Sequence, residues 1–84
     1  MPTVTVRYFA AARAAAGVEA EPLDLPAEGT VDTALAAVRA SHGPGLARVL
    51  DRCSFLLDEV AVRDRATPLA DGAVLDVLPP FAGG

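Results

Sequence analysis

The chain has 84 residues and a net charge of −4, with hydrophobic residues at 52% of its length and aromatic residues at 5%. This length allows one domain with one small core, which Val, Leu and Ala must fill. All Lys and Arg positions are Arg, and they form no basic cluster. Proteins that bind nucleic acids or anionic membrane surfaces use clusters of basic residues, so we expect the chain to bind neither.

Cys53 is the single cysteine of the chain, which excludes an internal disulfide. Together with the single histidine, His42, it supplies too few ligands for a structural metal site, so we expect no metal and no cofactor. We expect the Cys53 thiol to be buried and unreactive. The first residues lack a charged signal-peptide segment, and no apolar run has the length of a membrane span, so we expect a cytoplasmic protein.

The first predicted element is a strand over residues 3–9, where β-branched and polar residues alternate. Val4, Val6 and Tyr8 fall on one side of this strand, and Phe9 falls on the other. If the first set fills the core, Phe9 faces outward.

Residues 10–16 are Ala apart from Arg13, the strongest helix-forming composition, and Gly17 stands where a helix commonly ends. Residues 19–25 predict a second strand. Pro22 confines that strand to a sheet edge or to its first residues, because proline has no N–H to donate to a neighbouring strand.

A longer helix is predicted to begin after a turn at residues 26–29, with Thr30 as its N-cap. Its apolar residues have the spacing of one helix face: Val31, Leu35 and Val38. We expect this helix to end near Ser41-His42, with Gly43-Pro44-Gly45 as the stop signal.

The second half of the chain predicts one more helix and three short strands. The helix is indicated by four apolar residues with helical spacing: Leu46, Val49, Leu50 and Cys53. Residues 54–57 and 60–62 predict two strands joined by a turn at Asp58-Glu59.

The last predicted elements are a polar loop at residues 63–68, a turn at Asp71-Gly72 and a strand over residues 73–78. The two main helices follow one another and do not alternate with strands. This order predicts an α+β fold with a mixed sheet, and it argues against a doubly wound sheet.

The end of the chain is Leu78-Pro79-Pro80-Phe81-Ala82-Gly83-Gly84, a rigid Pro-Pro break followed by a slender tail. Such a tail can thread a narrow channel and present the carboxylate of Gly84 to the active site of another protein. We expect one domain over residues 1–81 and a flexible tail over residues 82–84.

Three stretches resemble the MoaD family, the small subunits of molybdopterin synthase. They are Val6-Arg7-Tyr8-Phe9-Ala10 with the helix that follows, Leu69-Ala70-Asp71-Gly72 before the last strand, and the terminal Pro-Pro-x-x-Gly-Gly pattern. The terminus is the specific part. The resemblance implies a ubiquitin-like β-grasp fold, in which the first strand lies beside the last and the helices pack on one face of a mixed sheet. Carriers of this kind often have Asn-Gly where this chain has Asp58-Glu59.

The resemblance also implies a function, that of a non-catalytic sulfur carrier. An E1-like adenylating enzyme would use ATP to activate Gly84. A sulfur donor such as a cysteine desulfurase or a rhodanese would then convert the acyl adenylate to a thiocarboxylate. The tail, with Gly83 and Ala82 as its neck, would enter the active site of the large synthase subunit and deliver sulfur to a pyranopterin precursor of the molybdenum cofactor.

Carriers of this family dock through an apolar patch on the sheet, and the matching positions are Phe9, Val62 and Leu78, with Phe81 in the tail. The same terminus also suits a sulfur carrier for thiamine, cysteine or tRNA thiolation, a protein modifier attached through Gly84, or a binding module whose Gly-Gly is accidental. The partner surface would discriminate among the carriers, because their termini are alike.

Overall fold

A computed structural model describes residues 2–80 of the chain. Within them the elements, in chain order, are β1 (Thr3–Tyr8), α1 (Ala10–Ala16), β2 (Ala20–Asp24), α2 (Val31–His42), α3 (Pro44–Leu50), β3 (Ser54–Leu57), β4 (Val60–Ala61) and β5 (Val74–Leu78). The predictions that fall on Phe81, Ala82, Gly83 and Gly84, including the bounds of the domain and its tail, lie outside the described residues.

The strands of residues 2–80 form one mixed sheet in the order β2-β1-β5-β3-β4. β1 and β5 run parallel, with Val6 opposite Leu75, and the other neighbours pair antiparallel. β2, which contains Pro22, lies at an edge of the sheet as its sequence requires. The first strand therefore lies beside the last, and the predicted β-grasp fold is confirmed.

One face of the sheet packs against the helices and forms the core. Every second residue of β1 is buried, as the alternation of its sequence predicts. The largest fully buried side chains are Tyr8, Leu25, Leu35, Leu46, Leu50, Leu75, Val4, Val6, Val31, Val38 and Val77. Full burial of one Val or Leu stabilises the fold by about 1.5–3 kcal/mol relative to exposure. The core is thus mainly aliphatic, as the composition predicts, with Tyr8 and Phe55 as its aromatic members.

Helix α2 begins with a reciprocal cap at Thr30. The Thr30 hydroxyl accepts the N–H of Thr33 at 3.3 Å, and the Thr33 hydroxyl accepts the N–H of Thr30 at 3.1 Å. Both bonds satisfy N–H groups that a helix start leaves unpaired. The predicted N-cap is confirmed, and the helix ends at His42 before Gly43, as predicted.

Helix α3 departs from its prediction at both ends. It begins at Pro44, because proline suits the first position of a helix, so the predicted stop signal also starts the next helix. It ends at Leu50, and Cys53 lies beyond it, so the prediction that Cys53 belongs to the helix is wrong. The N–H groups of Arg52 and Cys53 donate to the carbonyls three residues earlier, which tightens the last turn and directs the chain into β3.

The predicted turn between β3 and β4 forms at Asp58 and Glu59, which have φ angles of 47° and 72°. Two successive left-handed residues match the twist of a tight hairpin, but they are strained for residues other than Gly, Asn or Asp. Asp58 is held by two bonds to Val74: its N–H donates to the Val74 carbonyl at 2.9 Å, and its carboxylate accepts the Val74 N–H at 2.9 Å. Glu59 has no such fixation by a hydrogen bond to the described residues.

A buried carboxylate lies between the two central strands, on the side away from the helices. Asp76 of β5 is 4% exposed and stands opposite Arg7 of β1. The Arg7 guanidinium donates to both carboxylate oxygens, at 2.5 and 2.8 Å. Two parallel bonds of this kind compensate the carboxylate for its lost hydration. The hydrogen bond and the charge of Asp76 raise the pKa of Arg7, which therefore remains a cation.

Replacement of Glu59 by Gly should stabilise the protein by about 0.5–1 kcal/mol, because glycine adopts the left-handed conformation without a steric penalty. Urea denaturation of the wild type and the variant measures this difference. Asp58→Gly is the matched control, since it relieves the same kind of strain but loses the carboxylate bond to Val74. An equal gain from both variants would contradict this account of the turn.

Replacement of Arg7 by Val should lower the stability of the protein, because it leaves the buried Asp76 carboxylate without its partner. The double variant Arg7→Val/Asp76→Val should recover most of that loss, since no buried charge remains. Thermal and urea denaturation of the two variants test the difference. A double variant that is no more stable than the single one would show that the ion pair matters for another reason.

Candidate functional site

The end of β5 is the fixed point from which the C-terminal segment departs. β5 lies between β1 and β3, and the N–H of Phe9 donates to the Val77 carbonyl at 3.2 Å near its end. Pro79 is buried and Pro80 is exposed. Because both prolines fix φ, the backbone leaves the sheet in a restricted direction. The described part of the chain therefore leaves the sheet at its centre, between β1 and β3.

The side of the sheet that faces away from the helices is the candidate docking surface, and we call it the open face. Leu75 and Val77 of β5 point into the core, so Val74, Asp76 and Leu78 point the other way. In β3, Phe55 is buried in the core, so Leu56 points the other way. The centre of the open face is formed by Arg7, Phe9, Leu56, Val74, Asp76 and Leu78.

Phe9 and Leu78 lie side by side on the open face. They are the residues that follow the last paired positions of the two central strands, Tyr8 and Val77. The Phe9 ring is 39% exposed, whereas Leu78 is half-buried. The Arg7 guanidinium carbon lies 5.8 Å from the centre of the Phe9 ring, close enough for a cation–π contact. The structure thus brings together two of the predicted docking residues and adds a fixed positive charge beside them.

Val62 lies on the opposite side of the sheet. Its N–H donates to the Phe55 carbonyl at 2.9 Å, and its side chain packs against the core. It is therefore not part of the patch formed by Phe9 and Leu78, although it was predicted to belong there. A partner contact at Val62 stays a prediction.

Two half-buried residues of the open face, Leu56 and Val74, were missed by the sequence prediction. Leu56 stands opposite Asp76 and next to Ala61 in the sheet. The alternation of the strand could have predicted the position of Leu56. An aromatic residue in a short strand, here Phe55, usually lies in the core, so the next residue, Leu56, should lie on the other side of the sheet. The centre of the open face is thus a patch of apolar residues around one ion pair, with exposed polar residues such as Thr5 and Ser54 around it, and protein interfaces share this arrangement of an apolar centre and a polar rim.

Cys53 has the features of a structural thiol. It is 9% exposed, and its Sγ–H donates to the Val49 carbonyl at 3.1 Å. Burial raises the pKa of the thiol, which disfavours the reactive thiolate. This agrees with the expectation that Cys53 is buried and unreactive.

His42 belongs to a small network that joins three elements. The Nε2 atom of His42 and the hydroxyl of Tyr8 both approach one carboxylate oxygen of Glu21, each at 2.5 Å. The His42 and Tyr8 rings also meet edge to face, with centroids 5.8 Å apart. Burial, and then the bond to Glu21, raise the pKa of Tyr8. The network ties the end of α2 to β1 and β2, which is a structural role.

Among residues 2–80, no group of three or more His, Cys, Asp or Glu side chains could hold a metal ion. Within the same residues, no helix combines the length and the apolar character needed to cross a membrane.

Known proteins of similar sequence cover nearly the whole chain. A model of the ThiS family matches residues 6–84. The molybdopterin synthase sulfur carrier subunit of Chlamydomonas reinhardtii is 34% identical over 82 residues, which cover 96% of this chain and 98% of that protein.

Two solved structures show the same fold. SAMP1 of Haloferax volcanii has a TM-score of 0.86 and 28% identity, covering 98% of this chain and 99% of its own. A complex of subunits 1 and 2 of the molybdopterin-converting factor of Helicobacter pylori contains a chain with a TM-score of 0.71 and 28% identity, covering 98% of this chain and 99% of that one. The resemblance to the small subunit of molybdopterin synthase is confirmed by the sequence relative, and because the family match runs over residues 6–84, the chain belongs to the ThiS family.

Proposed function

We propose that this chain is the sulfur carrier subunit of a molybdopterin synthase and that Gly84 carries the sulfur as a thiocarboxylate. The observation that carries the proposal is 34% identity, over 96% of the chain, to a molybdopterin synthase sulfur carrier subunit. The Pro-Pro-x-x-Gly-Gly terminus supports it, because it gives the chain a slender end whose only functional group is a carboxylate.

A free α-carboxylate has a pKa of about 3.3–3.7, so at neutral pH it is ionised and unreactive towards nucleophiles. An E1-like adenylating enzyme joins one oxygen of the Gly84 carboxylate to the α-phosphorus of ATP and releases pyrophosphate. The persulfide of a cysteine desulfurase or a rhodanese then displaces AMP at the acyl carbon, and a thiol cleaves the resulting acyl disulfide, which releases the thiocarboxylate and leaves a disulfide. When the sulfur passes to the pyranopterin precursor, water attacks the acyl carbon and restores the carboxylate.

The acyl adenylate hydrolyses readily in water, so the tail must react inside its partner's site. The absence of side chains at Gly83 and Gly84 suits a narrow channel, with Ala82 adding only a methyl group. Pro79 and Pro80 fix φ immediately before the tail, which reduces the entropy lost when the tail is threaded. In this arrangement the carrier supplies the acyl group, and the large subunit supplies catalysis.

The open face is the surface through which we propose that the carrier binds the large subunit, with Phe81 as a further contact in the tail. The complex of the two Helicobacter pylori subunits supports a partner of this class. A cytoplasmic location would give the carrier access to ATP and to the sulfur donor.

A second candidate function is a protein modifier joined through Gly84 to lysines of other proteins. The TM-score of 0.86 to a small archaeal modifier protein favours this candidate. The chain contains no lysine, so it could not form lysine-linked chains of itself. A sulfur carrier for thiamine, cysteine or tRNA thiolation would use the same terminus and differ in its partner.

Incubation with the adenylating enzyme, ATP and a sulfur donor should replace one oxygen of Gly84 by sulfur, because only an activated carboxylate can exchange its oxygen. Intact mass followed by peptide mapping measures the exchange. A variant with one Ala added after Gly84 should accept no sulfur, whereas a variant with one residue added before Met1 should behave as the wild type. An unmodified wild-type mass, or lysine-linked adducts in its place, would refute the carrier and favour the second candidate or a binding module.

Replacement of Phe9 by Asp should lower the affinity for the large subunit by about tenfold or more, since it places a charge in the apolar contact. Calorimetric titration with the large subunit from the same organism measures the effect. Val60→Asp is the matched control, because Val60 is 69% exposed but pairs with Leu57, which packs on the helix side of the sheet. Equal losses from both variants would exclude the open face as the specific contact.

A further inference from the structure

A groove of about 520 Å³ lies where the chain leaves the sheet. Its walls include Ala11 of α1, Arg48 of α3, Asp51 and Arg52 after that helix, and Pro79-Pro80. The groove is not part of the open face, because α1 and α3 pack on the other side of the sheet. It adjoins the proposed route of the tail, so a protein that receives the tail meets its walls.

The groove concentrates positive charge in a chain whose net charge is −4. The Asp51 carboxylate accepts a bond from Arg39 at 3.2 Å, which offsets its charge. Arg48 and Arg52 are exposed, and neither forms an ion pair with a carboxylate of residues 2–80. Arg7, Arg13 and Arg39, in contrast, each pair with an acidic side chain. Two uncompensated guanidinium groups beside Pro79-Pro80 are therefore available to carboxylates of another protein.

The distance to the receiving site is short. Four residues follow Pro80, and a fully extended chain spans at most about 3.3–3.6 Å per residue. A catalytic site that reaches Gly84 must therefore open within about 14 Å of Pro80. The rim of that opening lies close enough to contact the side chains of Arg48 and Arg52, which are long and flexible.

We infer that Arg48 and Arg52 bind an acidic rim on the large subunit, at the mouth of the channel that receives the tail. This inference rests on the proposed function, since it takes the large subunit as the protein that receives Gly84. Guanidinium groups bind carboxylates in a bidentate geometry, so the pair sets the direction in which the carrier docks. The apolar open face supplies contact area on one side of the exit, and the basic groove supplies charge on the other.

The test is the double variant Arg48→Glu/Arg52→Glu, titrated with the large subunit from the same organism at low and at moderate salt. We expect an affinity loss of at least tenfold at low salt and a weaker salt dependence than that of the wild type, because attraction has become repulsion. Arg63→Glu is the matched control, since Arg63 is exposed, unpaired within residues 2–80 and outside the groove. It should change the affinity less than threefold.

Circular dichroism should show that the variants fold. Arg48→Gln/Arg52→Gln removes the charges without reversing them and should give a smaller loss in the same direction. An unchanged affinity of the double Glu variant, or an equal loss from Arg63→Glu, would overturn the inference. A gain in affinity would also overturn it and would indicate that the two arginines hold the chain's own terminal carboxylate.

The same titrations distinguish a failure of the proposed function from a failure of the inference about Arg48 and Arg52. If the wild type does not bind the large subunit, the carrier assignment is at fault. If the wild type binds, and Phe9→Asp weakens binding while the double Glu variant does not, the groove alone is excluded.

Discussion

The parallel pairing of β1 with β5 is the constraint on which the rest of the structure depends. It runs from Thr5 opposite Val74 to Tyr8 opposite Val77, and it lies in the middle of the sheet. Parallel neighbouring strands cannot be joined by a tight turn and need a long connection. Here β1 is the first described element and β5 the last, so the connection between them contains all the other elements. The pairing closes the fold and holds one side of the strand that carries the C-terminal segment, and β3 holds the other side. A tail that departs from such a strand has a rigid base.

The Arg7–Asp76 pair protects that pairing against a shift of register. A slip of β5 by one residue would turn Asp76 towards the helices and turn Leu75 and Val77 out of the core. The carboxylate would then lose Arg7 and be buried among aliphatic side chains, which is costly. Apolar strands alone would tolerate the slip better. The ion pair thus contributes more to the choice of register than to the net stability, since a buried pair commonly gains little over apolar residues.

Elements with strong local patterns were predictable from the sequence. The alternation of β1, the Ala-rich α1 and the capped, amphipathic α2 each formed as predicted, because local propensity and burial agree there. The order of the strands was not predictable from periodicity, since pairing joins residues that are far apart in the sequence. It came from the family resemblance.

Two residues lie elsewhere than the sequence predicted, and both differences have physical reasons. Cys53 has the spacing of the α3 stripe, but helical spacing cannot show where a chain must turn to enter the next strand. Val62 was expected in the docking patch because its position matches that of the family, and its pairing with Phe55 puts it on the other side of the sheet from Phe9. A partner contact at Val62 stays a prediction. A shift of one residue in the register moves a side chain to the other side of the sheet. The two-residue strand β4 has too short an alternating pattern to predict its register from the sequence.

The reacting group proposed for this chain is a backbone carboxylate and not a side chain. The choice of partner must therefore depend on the rest of the protein surface. A terminal glycine carboxylate is the same group in every carrier with such a tail, so it cannot tell one partner from another. Apolar contact on the open face gives affinity to any partner with a matching surface, whereas charges select among partners, because a wrong match leaves them unpaired. Arg7 is already paired with Asp76, whereas Arg48 and Arg52 line the groove beside Pro79-Pro80 and form no ion pair within residues 2–80. We therefore expect Arg48 and Arg52, and not the tail, to distinguish the partners of this carrier.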